Sequence, residues 1–272
     1  MPYISNSYQN PNPTGHWGDI STAGHSLSAE FSKPPSPEKS GFCSWMRNFF
    51  NYLTGTFGEK LSCSKLNSAL NDIFNPTNSW QAKAHFEFGG TNQVGYRSKQ
   101  KDGITYIVSS ACHDLTNPNP MQDLLSGGRT AAQTLNEIKK AYPHEQVKVL
   151  VPIAQSNKFC GSTRGHFVLL EVDIHAGKIQ SAKIHDSKGR PLLDIFYNGA
   201  GHLTKQLLAE KELGLDKDFA VTSEHLGHQA LLNGNDCGRF TAYYADKIID
   251  DNLSNANAKD AHAFFARYQK LA

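Results

Sequence analysis

Net charge is nearly absent from this 272-residue chain: 27 basic residues face 25 acidic ones, and a formal +2 gives no electrostatic ground for a nucleic-acid or strongly acidic partner. Long apolar runs are missing too. None approaches the roughly 20 residues that a membrane-spanning helix needs, and Met1-Pro2-Tyr3 does not open a secretory signal peptide. Cysteine is scarce, with five residues at 43, 63, 112, 160 and 237. An odd number at scattered spacings excludes the even framework that staples small secreted domains, and it implies a reducing compartment where the protein acts. No internal repeat is present. With 39% hydrophobic residues, the chain supports one core with appendages or two small domains.

What is there begins with a tail unlike the rest. Up to Ala29 the only charged side chain is Asp19, among Ser, Asn, Pro and Gly without apolar period. Such a stretch buries too little surface to offset its ordering entropy, and Lys33-Pro-Pro-Ser-Pro-Glu-Lys39 reads as an extended linker, so residues 1–40 form a disordered tail. Residues 41–78 then form a helical extension. Phe42, Trp45, Met46, Phe49, Phe50 and Leu53 share one face of a helix over 42–53, and Leu66, Leu70, Ile73 and Phe74 share one over 61–75. The aromatic face of 42–53 has two destinations, the rest of the protein or a partner on one hand and a membrane surface on the other. Arg47 is the only basic residue near it, fewer than interfacial helices usually carry.

Residues 79–272 carry a mixed pattern. Strands are expected at 84–89, 104–110 and 147–153, a hairpin at 165–174 and 178–186, and helices at 129–142, near 202–213, at 237–250 and at 259–270. This order defines an α+β domain.

The hairpin carries the first chemical argument. A three-residue loop, His175-Ala176-Gly177, puts glycine at the left-handed position and pairs Val172 with Gln180, Leu170 with Ala182, Val168 with Ile184 and His166 with Asp186. Directly opposed Cβ atoms lie roughly 4.5–5.5 Å apart. A carboxylate there fixes the tautomer of the imidazole and raises its basicity. A two-residue turn would shift the pairing by one and remove the alignment. An ordinary cross-strand polar pair is the competing reading.

Cys237 carries the second argument. Turn chemistry in Asn233-Gly-Asn-Asp-Cys-Gly238 leads into an amphipathic helix, so Cys237 sits at a helix N-terminus, where backbone amides and the dipole favour thiolate over thiol. Gly238 leaves space beside the sulfur. A buried small hydrophobe would occupy the same place. His225, His228 and Cys237 have a spacing that zinc could use, but no further ligand cluster completes a metal site.

Together, Val149-Leu-Val-Pro-Ile153, His166-Phe167, Asp186-Ser187, Gln229 and Asp236-Cys237-Gly238 resemble, in that order, the motifs of the CE-clan cysteine proteases. This superfamily includes SUMO proteases and bacterial deubiquitinase effectors. The resemblance implies a papain-like fold with a catalytic triad of His166, Asp186 and Cys237, and Gln229 as oxyanion donor. It also implies a substrate-tail channel at Phe167 and Gly238, and no cofactor. Phe167 stands where the family usually has Trp. The family's glutamine usually lies closer to the cysteine, where this chain has Leu231, and Asn233 or Asn235 could donate instead.

The implied activity is an isopeptidase cleaving after the C-terminal Gly-Gly of ubiquitin or a ubiquitin-like modifier, with ubiquitin, SUMO and NEDD8 conjugates as candidate partners. YopJ-like acetyltransferases share the fold but typically carry Glu as third member, and Asp186-Ser187 favours hydrolysis. A binding module that keeps the fold without activity is a third reading. The serine- and asparagine-rich, charge-poor tail resembles secretion signals of bacterial effectors, which implies action in a host cytoplasm.

Overall fold

Val147, Val149, Val151 and Ile153 turn one way and Leu150 and Ala154 the other, and all are buried: this strand is covered on both faces. It is the centre of a mixed sheet in the computed structural model, which describes residues 61–88, 91–113, 130–159, 162–188, 207–208, 211–216, 218–229, 235–268 and 271. The strands are β1 (Gln81–Phe88), β2 (Thr91–Lys101), β3 (Ile104–Ser109), β4 (Cys112–His113), β5 (Gln146–Phe159), β6 (Ser162–His175), β7 (Lys178–Lys188) and β8 (Val221–Gln229). Among the described residues the sheet runs β1-β2-β3-β5-β6-β7-β8, with β4 also on β5. The β3–β5 and β7–β8 pairs are parallel, whereas β1–β2, β2–β3, β5–β6 and β6–β7 are antiparallel.

Helices cover both faces. On one, α2 (Ala131–Ala141) lays Ala131, Ala132, Leu135 and Ile138 on Val149, Val168, Leu170 and Ile184. Thr130 and Gln133 close a reciprocal capping box at its start. On the other, α1 (Cys63–Ile73), α3 (Cys237–Ile249) and α4 (Ala258–Arg267) share a core with Leu150, Phe167 and Leu169. The second helix expected in the 41–78 extension is therefore α1, packed into the same core as the helix that begins at Cys237. The helix expected at 42–53 lies outside the described residues, as do Cys43, Cys160 and Asn233.

The hairpin turn differs from expectation. His175 pairs with Lys178, leaving a two-residue turn of Ala176 (φ 49°) and Gly177 (φ 68°). Both residues are left-handed, as in the type I′ turn whose twist suits a hairpin. Alone, that turn would send His166 and Asp186 to opposite faces. A bulge between Asp173 and Ile174 takes up one more residue, so Val172 pairs with Ala182 and Leu170 with Ile184. The two offsets together restore the shared face. Continued to the strand ends, this register sets His166 and Asp186 on a diagonal rather than directly opposite.

Candidate active site

Cys237 is the first residue of α3 and 1% exposed; His166, in the N-terminal half of β6, is 3% exposed. The diagonal is short enough for direct contact: His166 Nε2 donates to Asp186 Oδ1 at 2.8 Å. The same ring is hydrogen-bonded to Cys237, and with Nε2 on the aspartate, Nδ1 is the nitrogen left for the sulfur. Asp186 Oδ1 also accepts from the Lys188 amide at 2.9 Å, while Oδ2 lies 3.8 Å from Nδ1 of His225, its partner across the β7–β8 ladder. The structure thus brings together the three residues picked out in the sequence, in the order thiol, imidazole, carboxylate.

Charge within this chain is strongly biased. Burial by itself lowers the pKa of the His166 ring, but hydrogen bonds to Asp186 and Cys237, and the charges behind them, push it up to about 10. Burial by itself raises the Asp186 carboxyl; the His166 ring and the Lys188 amide overcome that and hold it below its ordinary value. The cation is favoured on the histidine and the anion on the aspartate. A thiol on the other side of that imidazole has a base beside it and a helix N-terminus behind it, the arrangement that generates a thiolate nucleophile.

Gln229, the expected oxyanion donor, is buried at the end of β8 beside Lys188. Ser187 Oγ donates to its Oε1 at 2.7 Å, which orients the amide with Oε1 toward Ser187. Phe167 and Gly238, expected to line a channel, lie against each other. A Cβ on Gly238 would meet the Phe167 ring at 3.2 Å and Leu61 at 3.4 Å, so the missing side chain admits a tight strand–helix contact. Both residues are buried.

The remaining candidates go elsewhere. Burial, with the charge of Cys112, pushes the Cys63 thiol up to about 12. Cys112 Sγ reaches Ser110 O at 3.4 Å. His228 Nδ1 lies 3.1 Å from the Tyr244 hydroxyl. Among the described residues no group of three or more His, Cys, Asp and Glu side chains is arranged to hold a metal ion, and no helix is long and apolar enough to cross a membrane.

Sequence reading passed over Arg239. It is fully buried in the first turn of α3, bonded to Asp236 Oδ1 at 3.0 Å and to the Leu271 carbonyl. The available signal was an Asp–Arg pair three residues apart at a helix start, where a basic residue opposes the dipole.

No protein-family profile matches the chain, and a search of curated proteins finds no match. Solved structures do match. The Legionella pneumophila effector RavZ superposes with a TM-score of 0.50 at 13% identity, over 79% of this chain and 64% of that one. This chain therefore spans less than two thirds of the effector's length. RavZ in complex with human LC3B gives 0.48 at 14% identity, over 75% and 55%. The C-terminal Ulp1 protease domain in complex with Smt3, the yeast ortholog of SUMO, gives 0.28 at 24% identity, over 42% and 47%. The likeness to RavZ shows a common fold, of the α+β class expected from the sequence.

Proposed function

We propose that this protein is a cysteine isopeptidase that cleaves after the C-terminal Gly-Gly of ubiquitin or a ubiquitin-like modifier. The observation that carries the reading is the hydrogen-bonded chain from Cys237 through His166 to Asp186, closed at 2.8 Å on the carboxylate side and set at the start of α3. Cys237 Sγ attacks the carbonyl carbon of the terminal glycine and forms a C–S bond. The C–N bond to the lysine then breaks, and His166 delivers its proton to the departing amine. Water, deprotonated by His166, attacks the resulting thioester, releasing the glycine carboxylate and the thiolate. Asp186 holds the tautomer throughout and touches no substrate atom. Gln229, with its Oε1 toward Ser187, stays the candidate for holding the oxyanion.

Ubiquitin is the modifier we favour. The charge-poor tail of residues 1–29 and the fold shared with a bacterial effector both support delivery into a host cell, where such conjugates are found.

The test is a panel of C-terminal electrophile probes built on ubiquitin, SUMO, NEDD8 and LC3B, the last because RavZ is seen with it. At least one probe should form a covalent adduct that is lost in Cys237→Ala and kept in Cys63→Ala and Cys112→Ala. Ubiquitin should react fastest. Labelling that persists without Cys237 would sink the nucleophile, and a faster SUMO probe would overturn the substrate.

A further inference from the structure

We infer that Arg239 is a positioning residue for the nucleophile: it draws the Asp236 carboxylate away from the start of α3 and neutralises it, so that no net negative charge opposes the Cys237 thiolate. The inference rests on the reading of Cys237 as nucleophile.

Asp236 is the residue just before the cysteine, occupies the N-cap of α3 and is 0% exposed. An aspartate in that place ordinarily turns its carboxylate onto the amides of the first turn. Here it makes no such capping bond, and its backbone (φ −93°, ψ 0°) departs from the extended conformation that capping residues adopt. Ser62 and Asn257 cap α1 and α4 in the ordinary way, from extended backbones, with side chains accepting the Lys65 and Asp260 amides. Asp236 Oδ1 instead lies 3.0 Å from Nη1 of Arg239.

Arg239 is just as unusual. A guanidinium in the first turn faces the positive end of the helix dipole, and burying it is costly unless it is paired. It is 0% exposed, it pairs with Asp236, and its Nε donates to the Leu271 carbonyl. The guanidinium is thus held in place by two chain segments, and the carboxylate is held by the guanidinium.

The gain falls on the sulfur of Cys237, the residue that follows Asp236 in the chain. A buried carboxylate one residue away, aimed at the first-turn amides, would compete for the dipole that favours the thiolate and would repel the thiolate itself. For two unit charges about 6 Å apart in an effective dielectric near 20, such repulsion is on the order of two pKa units. Paired with Arg239, the carboxylate next to the cysteine belongs to a neutral couple, as Asp186 does with the His166 ring.

The test is an ultraviolet titration of the thiolate, with each protein read against its own Cys237→Ala counterpart so that only Cys237 is seen. Arg239→Met should raise the midpoint by about 1–2 units. Asp236→Asn, which leaves the guanidinium without its counter-charge, should keep the midpoint or lower it. The double variant Asp236→Asn/Arg239→Met should return to the wild-type midpoint, a rescue that lost packing would not produce. If Arg239→Met does not fold, the Asp236→Asn and double-variant midpoints still decide. A double variant whose midpoint stays above wild type, or an Asp236→Asn midpoint that rises, overturns the inference. A wild-type Cys237 that titrates like an ordinary thiol overturns the nucleophile reading itself, and with it this one.

Discussion

At the residue scale the candidate site is a matter of which proton sits where. His166 is raised to about 10, so its pairing with Asp186 and Cys237 is fully present below the ordinary histidine value of 6.5 and fades as pH climbs through about 10. Asp186 is shifted down, so its share is present above the ordinary aspartate value of 3.8 and is lost only as pH falls through a lower value in the folded protein. Between those limits the pair is intact. The kcat/KM profile should therefore keep a plateau through neutral pH and lose activity on an alkaline limb near pH 10. Asp186→Asn should move that limb toward the ordinary histidine value and lower kcat/KM at neutral pH by on the order of 10²-fold. An unmoved limb would mean that the carboxylate does not set the basicity of the imidazole. These residues were picked out in the sequence by their order, His166, Asp186 and then Asp236-Cys237-Gly238, since a helix-start thiol or a cross-strand His–Asp pair alone is an ordinary structural feature.

At the element scale legibility was uneven, and the hairpin shows why. The pairing of His166 with Asp186 was read from a three-residue loop that does not exist. The actual turn places Ala176 at φ 49°, a conformation that alanine's propensity gives no reason to expect, and the compensating bulge at Asp173/Ile174 has no glycine to mark it. Two unreadable offsets cancelled in facing, not in register. Strand β2 escaped notice because its sequence is mostly polar, and β8 because it is half-exposed and broken by Gly227 at φ 68°. Helices α1, α2 and α4 were readable within a few residues from period and capping signals. The turn itself is testable. A Cβ at Gly177 would meet no atom closer than 3.6 Å, so the cost of Gly177→Ala is conformational. The substitution should destabilise by about 1–2 kcal/mol in denaturant melts, whereas Gly177→Asn, which tolerates the left-handed region, should cost less.

At the scale of the whole molecule, two cores on opposite faces of one sheet depend on each other, because β5 and β6 contribute to both. Leu66 and Leu70 of α1 are fully buried in the core that also holds Cys237 and Phe240. Leu66→Ala or Leu70→Ala should each destabilise by about 2–5 kcal/mol, seen as a lower midpoint of a single cooperative transition. A transition that splits in two would show that α1 melts apart from the sheet. The same architecture also sets the order in which the candidate site is assembled. His166 lies on β6, whereas Cys237 waits at the head of α3, beyond β7 and β8 in the chain. A polypeptide emerging from the ribosome N-terminus first presents the imidazole and its carboxylate well before it presents the thiol. Only when α3 docks across the sheet do sulfur and ring meet, so on the proposed function a nascent or half-folded copy has no assembled nucleophile.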